Sequence, residues 1–197
     1  MVKGFHQVPG VDFGEMFNPV IKPTMVCTVL SFDVSRGWVI RQFGVQNAFL
    51  HGHLFEDVYM SQPPGFSHPQ FPNQVCKLKK ALYGLKQSPR SWFSHLSSCL
   101  LALGFRGMRS DSFLFIYHSA IVTIYFLIDV DDLIVIVSQP SAIDDLLRHL
   151  KLDFTIKDLG NLNFFLAVEV LPNSKRLILS QKRYVIDPLK KTKMLEA

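Results

Sequence analysis

Apolar and polar positions follow one pattern most clearly between residues 121 and 137. Two predominantly apolar runs, 121–128 and 133–137, meet at Asp129, Asp131 and Asp132. Both runs are strand-sized and rich in Ile, Val, Tyr and Phe, which favours β-strands, although periodicity alone does not separate a buried strand from a buried helix. The pattern predicts a β-hairpin with carboxylates at its tip. Because side chains alternate along a strand, we expect Asp129 and Asp131 to face one side and Asp132 the other, until the turn.

The remaining periodicity predicts alternating helices and strands. Ser88 as N-cap and Pro89 at the first helical position open a helix that Gly104 ends, and Ser141 with Asp144 resembles a capping box. Predicted helices span 24–35, 88–103 and 141–152, and predicted strands span 39–45, 113–117 and 162–170. This order is the split β-α-β arrangement of an α+β fold. It brings strand 39–45 beside the hairpin and places Gly44 opposite Asp131 and Asp132.

The acids at the hairpin tip are the candidate site. Buried carboxylates are costly unless they are paired or bound to a metal. Oxygen-only ligation suits Mg²⁺ or Mn²⁺, and Mg²⁺ typically takes one or two carboxylates together with substrate phosphates. The pattern therefore indicates phosphoryl-transfer chemistry. A polar tight turn that happens to hold acids explains the spacing equally well.

Composition adds a possible partner. The 197 residues are 48% hydrophobic and 19% charged, which argues against disorder, and the net charge is +5 with a pI near 9.2. Five basic residues fall within fourteen positions: Lys77, Lys79, Lys80, Lys86 and Arg90. Interleaved with Tyr83 and Trp92, they suit a track for nucleic-acid phosphates, or simply a solvated surface. A second basic run, from Lys182 and Arg183 to Lys190, Lys191 and Lys193, predicts the exposed face of a C-terminal helix.

Other classes of protein find little support. No apolar run reaches the roughly eighteen charge-free residues of a membrane span, and no secretory leader is visible, so we expect an intracellular protein, in a cytoplasmic particle or the nucleus. Cys27, Cys76 and Cys99 lack C-x-x-C spacing and are expected to be reduced core residues. The histidines lack helical metal spacing. Nothing in the sequence indicates an oligomeric state.

Ordered segments along the whole chain resemble copia-type retrotransposon reverse transcriptases. The most specific is KLKKALYGLKQSPRSW at 77–92, which resembles the family's second motif almost throughout. QNAFLHG at 46–52 resembles the end of its first catalytic motif, and Asp129-Val130-Asp131-Asp132 resembles its tyrosine-x-Asp-Asp box. Further similar segments are 3–7, 9–13, 17–20, 58–66, 154–160, 164–170 and 179–181.

The resemblance implies a polymerase palm of split β-α-β (ferredoxin-like) type with partial fingers. Fingers would occupy 1–38 and 53–87, the palm 39–52 and 88–180, and the start of a thumb or connection 181–197. The implied activity is RNA-templated DNA synthesis by two-metal nucleotidyl transfer with Mg²⁺ or Mn²⁺. The implied partners are an RNA template, a DNA primer and deoxynucleoside triphosphates, and no membrane.

The resemblance also assigns residues. Asp131 and Asp132 would be catalytic metal ligands, and Phe49 the aromatic gate that excludes a ribose 2′-hydroxyl. Asp129 would lie at the nucleic acid with the basic segment 77–90. The residues implied at the nucleotide are Val45, Asn47, Ala48, Phe49, Tyr83 and Gly84.

Departures from the family pattern qualify the activity. Gly44 stands where the family carries its first catalytic aspartate, and glycine supplies no metal ligand. Asp129 replaces the box tyrosine, Gln46 replaces a lysine, and Ala167 replaces a glycine. The family's basic fingers residues lie just upstream of the equivalent of Val2, so we expect a fragment of a decayed element that is catalytically inactive. The alternatives are an inert nucleic-acid-binding remnant or a domesticated interaction protein.

Overall fold

The computed structural model describes residues 4–14, 21–166, 168–173, 176–192 and 194. Several positions that carried expectations lie outside them: Lys3, the motif at 17–20, Ala167, Lys193 and the side chain of Arg183. Within these ranges four α-helices are present: α1 (Pro23–Arg36), α2 (Ser88–Ala102), α3 (Ser141–Leu150) and α4 (Lys182–Lys191). The predicted basic C-terminal helix is therefore present.

Eleven strands accompany the helices within the same ranges. They are β1 (Val39–Val45), β2 (Tyr59–Ser61), β3 (Val75–Lys77), β4 (Arg106–Gly107), β5 (Leu114–His118), β6 (Thr123–Asp129), β7 (Asp132–Val137), β8 (Ile156–Gly160), β9 (Phe164–Phe165), β10 (Val168–Asn173) and β11 (Arg176–Ser180). The fold is a mixed α/β structure, which agrees with the predicted α+β class.

The main sheet has six strands in the order β4-β5-β6-β7-β1-β8, and every neighbouring pair is antiparallel. Along the chain, α2 lies between β1 and β6, and α3 lies between β7 and β8. A three-stranded sheet, β11-β10-β9, and the pair β2-β3 are separate from it. The order puts β7 between β6 and β1, so the hairpin and β1 end side by side.

The core explains why β7 reads as an unbroken apolar run. All five residues from Leu133 to Val137 are at most 1% exposed, so both faces of this central strand are covered. Leu96 and Leu100 of α2 and Leu150 of α3 belong to the same buried cluster. Burial of this kind contributes roughly 1.5–3 kcal/mol for each large aliphatic side chain, and it fixes the sheet on which the acidic tip stands.

Most predicted elements are confirmed within a few residues, but the strand predicted at 162–170 is only partly right. That range contains β9 and the start of β10, two strands of the three-stranded sheet, and the strand that pairs with β1 is β8. The sequence of β8, IKDLG, has polar residues at Lys157 and Asp158, and none of its residues is fully buried. An edge strand with so little buried surface leaves no apolar signal for a periodicity argument.

The predicted helix caps are also wrong. The residue that precedes α2 is Gln87, and the Ser88 hydroxyl donates to the Leu82 carbonyl at 2.6 Å instead of capping the helix. Helix α3 is preceded by Pro140, with no side-chain cap bond. Each serine is the first residue of its helix, whereas a cap residue stands one position before the helix.

Two smaller expectations have outcomes in the structure. All three cysteines are free, as predicted. Cys27 is exposed, so the core assignment is wrong for it, whereas Cys76 is partly buried and Cys99 is partly buried against the core. None of the helices in the described ranges is both long and apolar enough to cross a bilayer.

Candidate functional site

The acidic tip is a two-residue turn. Strand β6 ends at Asp129, β7 begins at Asp132, and these two residues are directly paired across the hairpin. Paired residues of antiparallel strands share a face, so Asp129 and Asp132 lie on the same side of the sheet. The prediction that they face opposite sides was wrong because the chain reverses between them. Asp131 is exposed within the turn.

The tip is strained and held from two directions. Val130 has φ of 55°, a left-handed conformation that is rare for β-branched residues. Its carbonyl accepts a hydrogen bond from the Trp92 indole Nε1 at 2.6 Å. The Asp131 carbonyl accepts one from the Val45 backbone N–H at 2.8 Å. Helix α2 and strand β1 therefore both contact the turn.

Charge is concentrated at the tip. Burial, and then the charges of Asp132 and Asp131, raise the pKa of Asp129 to about 6. Burial and the charge of Asp131 also raise the pKa of Asp132, while a hydrogen bond from Gln42 acts in the opposite direction. Burial and the neighbouring negative charges therefore disfavour the ionised forms of Asp129 and Asp132.

Gly44 lies directly beside these acids. It is paired with Asp132 in the β1–β7 ladder, as the sequence predicted. A Cβ built on Gly44 would lie 3.5 Å from Leu159 Cδ1, an ordinary contact, so the strand has room for a side chain that the sequence does not supply. In the described part of the chain no three His, Cys, Asp or Glu residues are arranged to hold a metal ion.

Apart from Val45 at the end of β1, the residues predicted at the nucleotide fall on two neighbouring loops. Asn47 adopts a left-handed conformation and precedes a short 3₁₀ turn, Ala48–His51, in which Ala48 is fully buried. The rings of Phe49 and Tyr83 are 4.5 Å apart. Burial, followed by the charge of Asp131, raises the pKa of Tyr83. The structure thus groups these residues beside the acidic tip, with Val45 bonded to it, while their roles remain predictions.

The loop that carries Tyr83 and Gly84 is braced by Gln7 and Gly4, which lie in the family-like segment 3–7 but to which the sequence analysis gave no role. Gln7 Nε2 donates to Gln87 Oε1 at 3.0 Å, and Gln7 Oε1 accepts from the Lys86 backbone N–H at 2.9 Å. A Cβ on Gly4 would lie 1.7 Å from the Gly84 carbonyl oxygen. No periodicity marks such contacts, since they join residues about eighty positions apart.

Only part of the basic segment is available to contact nucleic-acid phosphates. Lys77 forms a 2.5 Å ion pair with Asp57, which offsets its charge. Lys79, Lys80 and Arg90 are exposed, and Lys86 is partly buried. Asp129, which was assigned to the nucleic acid with them, belongs to the acidic cluster of the tip.

Comparison with known proteins finds similarity over the whole chain. The family of reverse transcriptases (RNA-dependent DNA polymerases) matches over residues 1–197. The chain is 46% identical over 197 residues to the retrovirus-related Pol polyprotein from transposon RE1 of Arabidopsis thaliana, covering all of this chain and 13% of that protein. It is 37% identical over 200 residues to the corresponding polyprotein from transposon TNT 1-94 of Nicotiana tabacum, covering all of this chain and 15% of that protein.

A more distant match agrees. A transposon Ty5-1 protein of Saccharomyces cerevisiae is 32% identical over 142 residues, which is 72% of this chain and 46% of that protein. The chain spans only about an eighth of the length of the plant polyproteins that it matches. The match over every residue, together with the relatives from plant transposons, confirms the resemblance found in the motifs: the chain belongs to the reverse transcriptase (RNA-dependent DNA polymerase) family.

Proposed function

We propose that this chain is a reverse transcriptase domain that binds nucleic acid but no longer performs templated nucleotidyl transfer. In this proposal the six-stranded sheet with α2 and α3 is the polymerase palm, and segments 1–38 and 53–87 are a partial fingers region. The strand order β8-β1-β7-β6, with one helix after β1 and one after β7, supports the palm assignment because it is that of a split β-α-β fold.

The observation that carries the proposal is Gly44. A two-metal centre stabilises both the attacking and the leaving oxygen of an in-line displacement, and the family resemblance implies one carboxylate from the position of Gly44 for it. Gly44 is paired with Asp132, at the place from which that carboxylate would reach the tip. The loss of a metal ligand commonly costs several kcal/mol of transition-state stabilisation. Since each 1.36 kcal/mol is about tenfold in rate, we expect synthesis to fall below detection.

Asp129 does not replace the missing acid. It lies on β6, whereas Gly44 lies on β1, and β7 with Asp132 separates the two strands. With neighbouring strands about 4.8 Å apart, the backbone of Asp129 is roughly 10 Å from that of Gly44. Asp129 therefore adds charge on the wrong side of Asp132. We propose that Asp131 and Asp132 retain at most weak binding of one divalent cation.

Nucleic-acid binding depends on the basic segment. Lys79, Lys80 and Arg90 are exposed within a short stretch that leads into α2, and contacts from such residues to phosphates supply sequence-independent affinity. The template and primer implied by the family would lie along this segment, with the nucleotide near Phe49 and Tyr83.

Primer extension tests the proposal directly. The purified 197-residue chain is incubated with an RNA template, an annealed DNA primer, deoxynucleoside triphosphates and Mg²⁺ or Mn²⁺, beside the Asp131→Asn variant. We expect no templated product from either protein and retained binding of the primer–template by both. Templated extension by the unmodified chain that disappears in Asp131→Asn would overturn the proposal.

A further inference from the structure

We propose that Trp92 is a positioning residue, whose indole N–H holds the acidic hairpin tip in the conformation that presents Asp131. The inference begins with the strain in the turn. Val130 has φ of 55°, and in two-residue hairpin turns a positive φ at the first turn position is normally supplied by glycine or asparagine. A valine there needs an outside contact to favour this conformation over others.

Trp92 is placed to provide that contact. It is 1% exposed, in the first turns of α2, and its ring packs edge-on against Phe154 with centroids 5.2 Å apart. The backbone of Gly52 packs closely against α2 from another side: a Cβ added to Gly52 would lie only 2.8 Å from the Trp92 backbone nitrogen. The indole is therefore fixed in place. Its only polar atom, a donor that needs a partner when buried, lies 2.6 Å from the Val130 carbonyl oxygen.

The consequence concerns both peptide groups that flank Asp131. The Val130 carbonyl belongs to the peptide group before Asp131 and is bonded to Trp92 on α2. The Asp131 carbonyl belongs to the peptide group after it and is bonded to Val45 on β1. Because each peptide group is planar, fixing both of them fixes the backbone dihedral angles of Asp131. The side chain of Asp131 is exposed, but the direction of its Cα–Cβ bond is set by contacts from two separate elements, α2 and β1.

The inference rests on the proposed function only in treating Asp131 as an acid of the ancestral site. Its test involves no cation, nucleic acid or synthesis, so its failure would leave the proposed function in place. Conversely, templated synthesis by this chain would overturn the proposed function and leave the role of Trp92 unaffected.

The test is NMR of the full chain and of four variants, namely Trp92→Phe, Trp38→Phe, Val130→Gly and the double variant Trp92→Phe with Val130→Gly. Trp92→Phe keeps a buried aromatic ring and removes the hydrogen-bond donor. Trp38→Phe is the matched control, because Trp38 is partly exposed and lies away from the tip, where its ring stacks on that of Tyr125 with centroids 5.7 Å apart. Backbone ¹³C shifts and the HN–Hα coupling of Val130 report its φ. We expect Trp92→Phe to lose the positive-φ signature and Trp38→Phe to keep it. Retention in both variants, or loss in both, would overturn the inference.

Two further measurements keep the test valid. The first needs no variant, so it applies even if Trp92→Phe fails to fold, and the second separates a positioning role of Trp92 from simple packing. In the unmodified chain, a scalar coupling across the hydrogen bond should connect Trp92 Nε1 with the Val130 carbonyl carbon, and its absence would contradict the proposal. Glycine adopts positive φ without strain, so Trp92→Phe should shift the Asp131 and Asp132 ¹³Cα resonances less in a Val130→Gly background than in the native one. Equal shifts in the two backgrounds would show that Trp92 only fills space.

Discussion

At the scale of single residues, the motif resemblance implies that two positions change the tip relative to the pattern of its family. On this proposal, Gly44 leaves out a carboxylate on the β1 side of Asp132, and Asp129 adds one on the β6 side in place of a tyrosine. The number of acids is thus preserved while their arrangement is not. Metal binding requires ligands at specific positions, whereas like charges repel at any short distance, so the tip keeps charge repulsion without the implied ligand set.

Burial of Asp129, together with the charges of Asp132 and Asp131, predicts a pH-dependent stability. The pKa of Asp129 is about 6 in the fold, above its ordinary value of 3.8, so between these values the native state binds more protons than the unfolded state. Stability should therefore fall as pH rises from about 4 to about 6. We expect Asp129→Asn to be more stable than the unmodified chain at pH 7 by on the order of 1 kcal/mol, after allowance for solvent screening.

Urea denaturation of both proteins at several pH values measures this difference. It should shrink towards zero by pH 4, where the native carboxyl group is protonated. A difference that is the same at pH 4 and pH 7, or an unmodified chain that is the more stable at pH 7, would contradict the raised pKa of Asp129.

A second prediction concerns close packing against α2. The backbone of Gly52 has φ of −73° and ψ of 134°, which any residue adopts, but an added Cβ would lie 2.8 Å from Trp92 N and 2.9 Å from Ser91 C. Backbone atoms cannot move aside cheaply, so Gly52→Ala should destabilise the fold by about 1–3 kcal/mol. Gly44→Ala is the matched control, since its Cβ makes only ordinary contacts and alanine is favoured over glycine in a strand. Thermal denaturation compares them, and equal stability of the two variants would refute the packing at Gly52.

At the scale of elements, the sequence predicts the helices and strands that bury apolar residues. It misses features that depend mainly on hydrogen bonds to other segments. Strand β1 agrees residue for residue, and the hairpin and α2 agree closely, because their apolar residues recur at the right period over enough length. Strand β8 was missed because it is a polar edge strand. The cap at Ser88 was wrong because a tertiary hydrogen bond to Leu82 uses its hydroxyl, and local pattern carries no information about such a partner.

The basic segment yields a prediction at this scale. Changing Lys79, Lys80 and Lys86 to Gln should weaken binding to RNA–DNA duplexes and lower the slope of log affinity against log salt by about 2 to 3, three contacts at roughly 0.7–0.9 each. The control is the same change at Lys182, Lys190 and Lys191, which are exposed on α4 and alter the net charge equally. Fluorescence anisotropy over a salt series measures both. Equal loss of slope in the two variants would show that only total charge matters.

At the scale of the whole molecule, the site is an assembly of distant segments. Gln7 reaches the loop before α2, Trp92 reaches the hairpin turn, and Val45 ties β1 to the same turn. The motifs identified most of the residues that meet here, including Asp131, Asp132 and Gly44. Their relation to one another could not be read from the motifs, because register and hydrogen bonds between remote segments decide it. The face shared by Asp129 and Asp132 is the clearest case.

The central claim is that the fold retains the place for a third carboxylate at Gly44 and lacks only the side chain. Mn²⁺ binding, followed by electron paramagnetic resonance of the free ion, tests it with three proteins: the unmodified chain, Gly44→Asp and the isosteric neutral control Gly44→Asn. We predict weak binding by the unmodified chain and by Gly44→Asn, and binding at least about tenfold tighter by Gly44→Asp, since the added carboxylate completes the ligand set on the face of Asp132. Equal affinities for Gly44→Asp and Gly44→Asn would contradict this account, as would an unmodified chain that already binds as tightly as Gly44→Asp.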